Sequence, residues 1–139
     1  MGPVTSTEVT LDGNSQDGSV YKVDATGQGT LLYNFPLSGA DGANPYAGVV
    51  LDPAGNLYGT TGEGGSGGGG VVFKLDPSGQ FTVLHSFSGL DGWFSYGGVT
   101  LDASGNLYGT TNSGGSSTYG AFMLGPGVVF KIANATTAP

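Results

Sequence analysis

The sequence predicts an all-β protein made of tandem four-stranded antiparallel repeats that resemble β-propeller blades, about two and a half in number. The heptapeptide Gly-Asn-Leu-Tyr-Gly-Thr-Thr at residues 55–61 returns unchanged at residues 105–111. Short β-rich runs alternate with turn signals, and no window carries the apolar spacing of a helix. Repeats of roughly 40 to 50 residues with four strands are typical of propeller blades.

Each repeat contains four short runs rich in β-branched and aromatic residues, here called strands A to D. They are predicted at 19–24, 30–35, 48–52 and 57–61, and again at 71–76, 81–87, 98–102 and 107–111. A D-like run at 5–11 precedes them, and an A-type run at 128–132 follows. The chain therefore divides into an N-terminal segment (1–17), a first repeat (18–69), a second repeat (70–127) and a partial third repeat with a tail (128–139).

Four copies of the pattern Asp-x-x-Gly-(Asn/Gln) separate strand A from B and strand C from D. They begin at Asp24, Asp52, Asp76 and Asp102. Aspartate at the first position accepts hydrogen bonds from the turn backbone, and glycine adopts a left-handed conformation without steric cost. This pattern predicts hairpins with a type I turn and a glycine bulge, with positive φ at Gly27, Gly55, Gly79 and Gly105.

The remaining B–C and D–A connections are longer and rich in glycine, and we expect them at the opposite end of each sheet. Loops of variable length carry binding functions more often than tight turns do. The glycine-rich stretch at 62–70 lacks the Gly-Lys-Ser/Thr ending and the following helix of a phosphate-binding loop. It is interpreted as a flexible linker between blades.

Composition excludes several classes of function. Ten acidic residues face three lysines and no arginine, which gives a net charge of −7. A chain without a basic patch is not expected to bind nucleic acid. Cysteine is absent, so disulfides and thiolate metal sites are excluded. No apolar run is long enough to span a membrane, and residues 1–8 lack the features of a signal peptide.

Most charged residues occupy positions that recur in every repeat, which favours an architectural role over a catalytic one. The single histidine, His85, aligns with Tyr33 of the first repeat. A position shared by Tyr and His favours a side chain that packs and hydrogen-bonds, rather than a general base or a zinc ligand. No Gly-x-Ser-x-Gly nucleophile motif is present. Two acidic residues brought together by folding are the catalytic pair of many hydrolases. The enzymatic alternative is therefore that the chain is a fragment of a larger propeller enzyme.

Two groups of residues are candidate sites. Asp12, Asn14 and Asp17 place oxygen ligands near a glycine, as calcium sites do, although the spacing departs from the helix–loop–helix pattern and a plain turn is the alternative. Aromatic side chains beside polar ones gather in the long loops, where they suit a glycan or protein ligand. The predicted binding residues are Tyr46, Trp93, Phe94, Tyr96 and Tyr119, with Asp41 and Asp91 of the recurring Gly-x-Asp-Gly motif.

The linked motifs resemble the GloVer-type tandem-repeat proteins over roughly residues 18–132. They are Gly-Asn-Leu-Tyr-Gly-Thr-Thr, Gly-Val-Val-Phe-Lys-Leu, Thr-Val-Leu-His-Ser-Phe and Gly-x-Asp-Gly. The resemblance implies a non-enzymatic bacterial protein, exported or held at the cell surface, with propeller-like repeats. No cofactor other than calcium is expected.

Two and a half blades leave open ends, so the sequence also predicts self-association into a ring or a filament. Pairing of the A-type strand at 128–132 with the N-terminal segment of another copy would join the chains by β-augmentation. A structural or assembly module is thus the first hypothesis, a glycan- or protein-binding module the second, and an enzyme fragment the third.

Overall fold

The computed structural model describes residues 18–115 and 125–137 in full, together with the backbone of residues 4–8. Among these residues it contains ten β-strands and a short 3-10 helix at Ala135–Thr137. The strands are β1 Val4–Glu8, β2 Ser19–Val23, β3 Gly29–Asn34, β4 Val50–Leu51, β5 Leu57–Thr60, β6 Val71–Leu75, β7 Phe81–Ser86, β8 Thr100–Leu101, β9 Leu107–Thr110 and β10 Val129–Ile132. The prediction of an all-β chain is confirmed. No helix in the described part is long and apolar enough to cross a membrane.

The strands form three antiparallel sheets that resemble propeller blades, as predicted. The first sheet has the order β1-β2-β3, the middle sheet β4-β5-β6-β7, and the last sheet β10-β9-β8. In the terms of the sequence repeat, the middle sheet therefore runs C-D-A-B. The expected order, with A and B beside C and D of the same repeat, is wrong, because the D–A connection lies within a sheet and the B–C connection passes between sheets.

The glycine-rich stretch at 62–70 is consequently a tight intrasheet loop and not the linker between blades that we expected. Thr61 donates its backbone N–H to the carbonyl of Val71 at 2.9 Å, and Gly70 donates to Gly64 at 2.9 Å. Gly70 has φ +96°, and a Cβ there would lie 2.3 Å from the Thr61 carbonyl oxygen. Only glycine permits this approach, which brings the end of β5 directly to the start of β6.

The four Asp-x-x-Gly hairpins form as predicted. The glycines have φ of +88°, +93°, +94° and +85° at Gly27, Gly55, Gly79 and Gly105. In each turn one oxygen of the aspartate accepts the backbone N–H groups two and four residues later, at 2.9–3.0 Å. The aspartate thus satisfies backbone donors that a tight turn leaves without partners.

The middle sheet is covered on both faces. One face, its leading face, carries Val71, Phe73 and Leu75 and packs on the first sheet. The other face, its trailing face, carries Tyr58, Val72 and Lys74 and lies against the last sheet. All five residues of β6 are buried as a result. Complete burial of a Val, Leu or Phe side chain contributes about 1.5–3 kcal/mol, so these two interfaces are the principal source of stability.

The two interfaces are built from equivalent residues of successive repeats. Val20, Phe35, Leu57 and Phe73 form the first core, and Val72, Phe87, Leu107 and Phe130 hold the same positions in the second. In both pairs of A and B strands the register shifts after the valine that precedes the aromatic residue, between Val20 and Tyr21 and between Val72 and Phe73. This β-bulge directs Leu32 and Leu84 of the B strands into the cores.

We expect Gly27→Val to lower the free energy of unfolding by about 1–3 kcal/mol, because a β-branched residue resists positive φ. The space around Gly27 is open, so the cost comes from the backbone alone. Gly29 is two residues away, equally open and without positive φ, so Gly29→Val serves as the control. Urea unfolding of the two variants measures the difference. Equal stabilities would contradict the turn geometry.

We expect the contribution of Asp102 to stability to depend on pH. Hydrogen bonds from the backbone and then the side chain of Asn106, with a further one from Tyr108, lower the pKa of Asp102 to about 2. A carboxylate with a lowered pKa in the folded state stabilises the fold above its unfolded pKa, and this contribution disappears as pH falls. Asp102→Asn should therefore destabilise the protein at pH 6, with a deficit that shrinks between about pH 4 and pH 2. A deficit independent of pH in denaturant unfolding would contradict this.

Candidate functional site

The long B–C connections carry the Gly-x-Asp-Gly motif, and its aspartate holds the loop to the preceding strand. The Tyr33 hydroxyl on β3 donates a hydrogen bond to Asp41 Oδ2 at 2.5 Å. In the second repeat His85 Nε2 on β7 lies 2.6 Å from Asp91 Oδ2, whose other oxygen accepts the Ser88 N–H at 2.9 Å. The two loops therefore use the same contact with different aromatic partners.

The role predicted for His85, packing together with hydrogen bonding, agrees with this geometry. Its ring meets that of Phe87 edge-on at 4.8 Å, as the Tyr33 ring meets that of Phe35 at 5.2 Å. Burial, aided by the hydrogen bond to Asp41, raises the pKa of Tyr33, so the phenol stays neutral and acts as the donor. Asp41 and Asp91, predicted as ligand-binding residues, are thus already engaged by side chains of their own sheets.

Each B–C loop is also joined to the D–A loop of the following strand pair. Ala43 bridges to Glu63 in one repeat, and Trp93 bridges to Ser113 in the other. The Asn44 side chain donates to a Glu63 carboxylate oxygen at 2.6 Å. The backbone N–H of Phe94 donates to the carbonyl of Gly69 at 3.0 Å, which connects neighbouring sheets.

Asn44 and Phe94 occupy equivalent positions, and both have left-handed backbones, with φ of +58° and +59°. Asparagine tolerates this conformation, whereas a bulky aromatic residue does not, so Phe94 is a strained residue. Strain of this kind costs about 1–3 kcal/mol and clusters at functional sites. Phe94 is therefore the position where the second loop departs most clearly from the first.

The structure gathers four of the predicted aromatic residues into one continuous row, which we call the aromatic row: Tyr46, Trp93, Phe94 and Tyr96. Trp93 meets Phe94 edge-on at 5.7 Å, Phe94 stacks on Tyr96 at 5.7 Å, and Tyr96 meets Tyr46 edge-on at 5.0 Å. Tyr46 is 50% exposed and Tyr96 42% exposed. The row borders on Glu63; burial, together with this carboxylate, raises the pKa of Tyr46.

Glycines beneath the row let the rings lie directly on the backbone. A Cβ at Gly62 would come within 2.5 Å of the Tyr46 ring, and a Cβ at Gly69 within 2.7 Å of the Trp93 ring. Glycine at positions 62 and 69 is therefore a packing requirement of the aromatic side chains. The rings of the row therefore lie close against the main chain of the loops and form a continuous aromatic surface.

The predicted calcium residues Asp12, Asn14 and Asp17, and the predicted binding residue Tyr119, lie outside the described residues. Within 18–115 and 125–137, no three His, Asp or Glu side chains come close enough to hold a metal ion. The pairing of Tyr33 with Asp41, and of Asn44 with Glu63, was not predicted. A signal for the first existed, since a polar aromatic residue and the motif aspartate recur together in both repeats.

Comparison with known proteins agrees with the resemblance drawn from the motifs. The family model described as the Gloeobacter/Verrucomicrobia repeat matches residues 6–138. No curated protein matches the chain. The match covers nearly the whole chain, with all of the middle and last sheets and all but the first two residues of the first sheet.

We expect His85→Tyr to leave the free energy of unfolding nearly unchanged, because Tyr33 makes the equivalent hydrogen bond in the first repeat. His85→Phe keeps the ring packing and removes the partner of Asp91, and should cost about 0.5–1 kcal/mol at this half-exposed site. Thermal or urea unfolding at pH 7 compares the two variants. If both variants have the same free energy of unfolding as the wild type, the contact with Asp91 has no structural role.

Proposed function

The chain belongs to the Gloeobacter/Verrucomicrobia repeat family, and we propose that it is a non-enzymatic structural module that associates head to tail with further copies of itself. The observation that carries this proposal concerns its two outermost sheet faces. They are the counterparts of the two faces that meet at each interface inside the molecule. Each copy thus presents both halves of an interface that its own sheets form twice.

The outer face of the last sheet is a trailing face on which no other sheet packs among the described residues. Val129 is 83% exposed, whereas Val72, its counterpart in the middle sheet, is fully buried. Tyr108 is 36% exposed and Tyr58 is fully buried. Lys131 lies 5.8 Å from the centre of the Tyr108 ring, while its counterpart Lys74 is only 8% exposed. The same residue types therefore lie on an open surface here and in a core one sheet earlier.

The outer face of the first sheet is a leading face. Tyr21 and Leu31 form a pair on this face, opposite Val20 and Tyr33, which point into the first core. Their counterparts in the middle sheet are Phe73 and Val83. Leu31 is 61% exposed, and Tyr21 is half-buried. This face therefore presents Tyr21 at the position where Phe73 packs on a trailing face elsewhere in the molecule, with Leu31 beside it at the position of Val83, which is 36% exposed.

A trailing face on a leading face is a heterologous contact, which closes into a ring when the rotation permits and otherwise extends as a filament. This joint differs from the edge pairing expected from the sequence. The N-terminal strand β1 pairs with β2 of its own chain and is the outermost strand of the first sheet, as β10 is of the last sheet, so pairing of these two edges is the alternative joint. Face-to-face packing uses larger apolar surfaces than edge pairing does.

The charges and engaged side chains also support this role. The turn aspartates hold backbone N–H groups, and the loop aspartates hold Tyr33 and His85. In the described part of the chain, the turn and loop aspartates are thus engaged in structural hydrogen bonds, which supports a non-catalytic role. The resemblance to exported repeat proteins supports a location outside the cell or at its surface. A net charge of −7 per copy opposes close packing, so association should strengthen with salt.

We expect the wild-type chain to form species larger than a monomer in multi-angle light scattering at high protein concentration, with more assembly at 0.5 M than at 0.02 M salt. Val129→Lys disables the trailing face, and Tyr21→Lys disables the leading face; each should give monomers. Leu31→Lys is the second leading-face variant should Tyr21→Lys fail to fold. Leu37→Lys is the control, because Leu37 is 67% exposed on a loop outside both faces.

Mixing the two monomeric variants separates this proposal from any symmetric contact. The Val129→Lys chain keeps its leading face, and the Tyr21→Lys chain keeps its trailing face. We therefore expect a one-to-one heterodimer and nothing larger. A monomeric wild type, or a mixture that stays monomeric while the wild type assembles, would overturn the head-to-tail arrangement.

The aromatic row supports a second candidate function, binding of a glycan or a protein surface. The observation that favours it is the strained backbone of Phe94, which the first repeat avoids by placing Asn44 there. Partly exposed rings provide apolar area, and the bordering Glu63 provides a polar contact. The head-to-tail faces lie on the sheets and the aromatic row on the loops, so the two functions are compatible.

We expect Phe94→Asn to raise the free energy of unfolding by about 0.5–1 kcal/mol, because asparagine accepts the left-handed backbone. The same variant should lose binding to any glycan that the wild type retains on a soluble polysaccharide array. Leu90→Asn, at an exposed loop position outside the row, is the control. Binding that survives in both Phe94→Asn and Trp93→Ala would exclude the row as the binding surface.

A further inference from the structure

We propose that a cavity between the first and middle sheets binds a small, neutral, peptide-like ligand that presents an amide carbonyl and a small aliphatic side chain. The cavity has a volume of about 320 Å³, near the lower end of the range of roughly 300–1,000 Å³ for ligand sites. It opens at the end of the sheets where the short hairpins lie. Its lining comprises Lys22, Leu32, Leu51, Gly55, Leu57, Leu75, Asp76, Pro77 and Gly79.

The equivalent place between the middle and last sheets is filled by the chain itself. After β10 the chain turns into the 3-10 helix Ala135–Thr137, and Ala135 is 1% exposed within the second core. The surrounding positions repeat those of the cavity: Lys74, Leu84, Leu101, Gly105, Leu107 and Ile132 stand for Lys22, Leu32, Leu51, Gly55, Leu57 and Leu75. The molecule thus contains one open version of the site and one that the chain occupies, with a second cavity of about 330 Å³ beside the occupied site at Leu101, Gly105 and Thr136.

The filled site shows which chemistry it recognises. The Ala135 methyl group packs in the core, and the Ala135 N–H donates to the carbonyl of Gly105 at 2.8 Å. The Lys74 ammonium lies 3.5 Å from the Thr136 carbonyl oxygen. In the open site Gly55 and Lys22 line the cavity at the corresponding positions. A ligand that supplies one methyl group, one N–H donor and one carbonyl acceptor would reproduce these contacts.

The two sites differ because the chain takes a different path after β6 than after β10. Residues 76–80 read Asp-Pro-Ser-Gly-Gln and form a hairpin turn, held by Asp76, which carries Ser78 outward into solvent. Residues 133–137 read Ala-Asn-Ala-Thr-Thr. Without the aspartate and the glycine of the turn motif, they fold inward. The open site consequently leaves Leu51 59% exposed, although its counterpart Leu101 is partly buried against the second core.

The charges around the cavity favour a neutral ligand. Lys22 offers a hydrogen-bond donor on one wall, and Asp76 lies on another wall. An anionic ligand would gain from Lys22 and lose from Asp76, in a chain of net charge −7. An amide carbonyl uses the lysine as a donor and adds no charge, as the Thr136 carbonyl does in the filled site. This inference is independent of the head-to-tail proposal, because the cavity lies inside one chain.

The test uses the full chain and the peptide acetyl-Ala-Asn-Ala-Thr-Thr-amide, which reproduces residues 133–137. In ¹H–¹⁵N NMR titrations to about 10 mM peptide, we expect saturable shifts at the amides of Lys22, Leu51, Gly55 and Gly79. Leu51→Phe should fill the cavity and abolish these shifts, whereas Leu37→Phe, at an exposed loop position, should leave them unchanged. Lys22→Met should weaken binding about tenfold by removing the donor.

A second peptide tests the recognition of the methyl group: acetyl-Ala-Asn-Asp-Thr-Thr-amide, with an acidic side chain at the position of Ala135, should not bind. Three results would overturn the proposal. They are the absence of saturable shifts, shifts confined to residues 101–137, and equal binding of the two peptides. If self-association broadens the spectra, the titration is done with the Val129→Lys chain. A negative titration would contradict the cavity proposal alone, because the light-scattering measurements test head-to-tail association separately.

Discussion

The burial of β6 from both sides is the constraint on which the rest of the structure depends. Its residues point alternately into two cores, with Phe73 in one and Val72 in the other, so neither neighbouring sheet can be removed without exposing a complete face. A four-stranded sheet of this kind has no polar face of its own. It is stable only between two others. Val72 and Val129 are equivalent residues: Val72 is buried against a neighbouring sheet, and Val129, which no other sheet covers in the described part of the chain, is 83% exposed.

The two ends of the sheets are stabilised by different chemistry. At the short hairpins, charge-assisted hydrogen bonds from backbone N–H groups to aspartate oxygens fix the turns locally. At the long loops, glycines admit close contacts between rings and main chain, and the Gly-x-Asp-Gly aspartates connect loop to strand. The first end is the same in every repeat. The second end varies in length and side chains, and it carries the aromatic row.

Sequence reasoning predicted what is local and repeated. The hairpins follow from Asp-x-x-Gly and the strands from alternation, and both lie where expected. The order of strands in a sheet was not predictable from these signals, because A–B and C–D hairpins look the same whether a sheet begins with A or with C. That choice depends on the contacts that close the loop between β5 and β6, such as Gly70 against Thr61, and these follow only from the folded chain. The aromatic row was predicted from loop position, whereas the cavity depends on packing between sheets and left no sequence signal.

Equivalent positions that carry different residues in the two repeats are more informative about function than positions that carry the same residue. Tyr33 and His85 differ and keep the same contact with aspartate, so the fold constrains the contact and not the residue. Asn44 and Phe94 differ at a backbone conformation that only the asparagine accepts comfortably, so packing alone does not explain the phenylalanine. At Ser78 the chain turns outward and leaves the site open, whereas at the equivalent Ala135 it turns inward and occupies the site. In a repeat protein each copy is a built-in control for the others. Positions where one copy accepts strain or an open cavity that another copy avoids are where selection for something other than stability is to be sought.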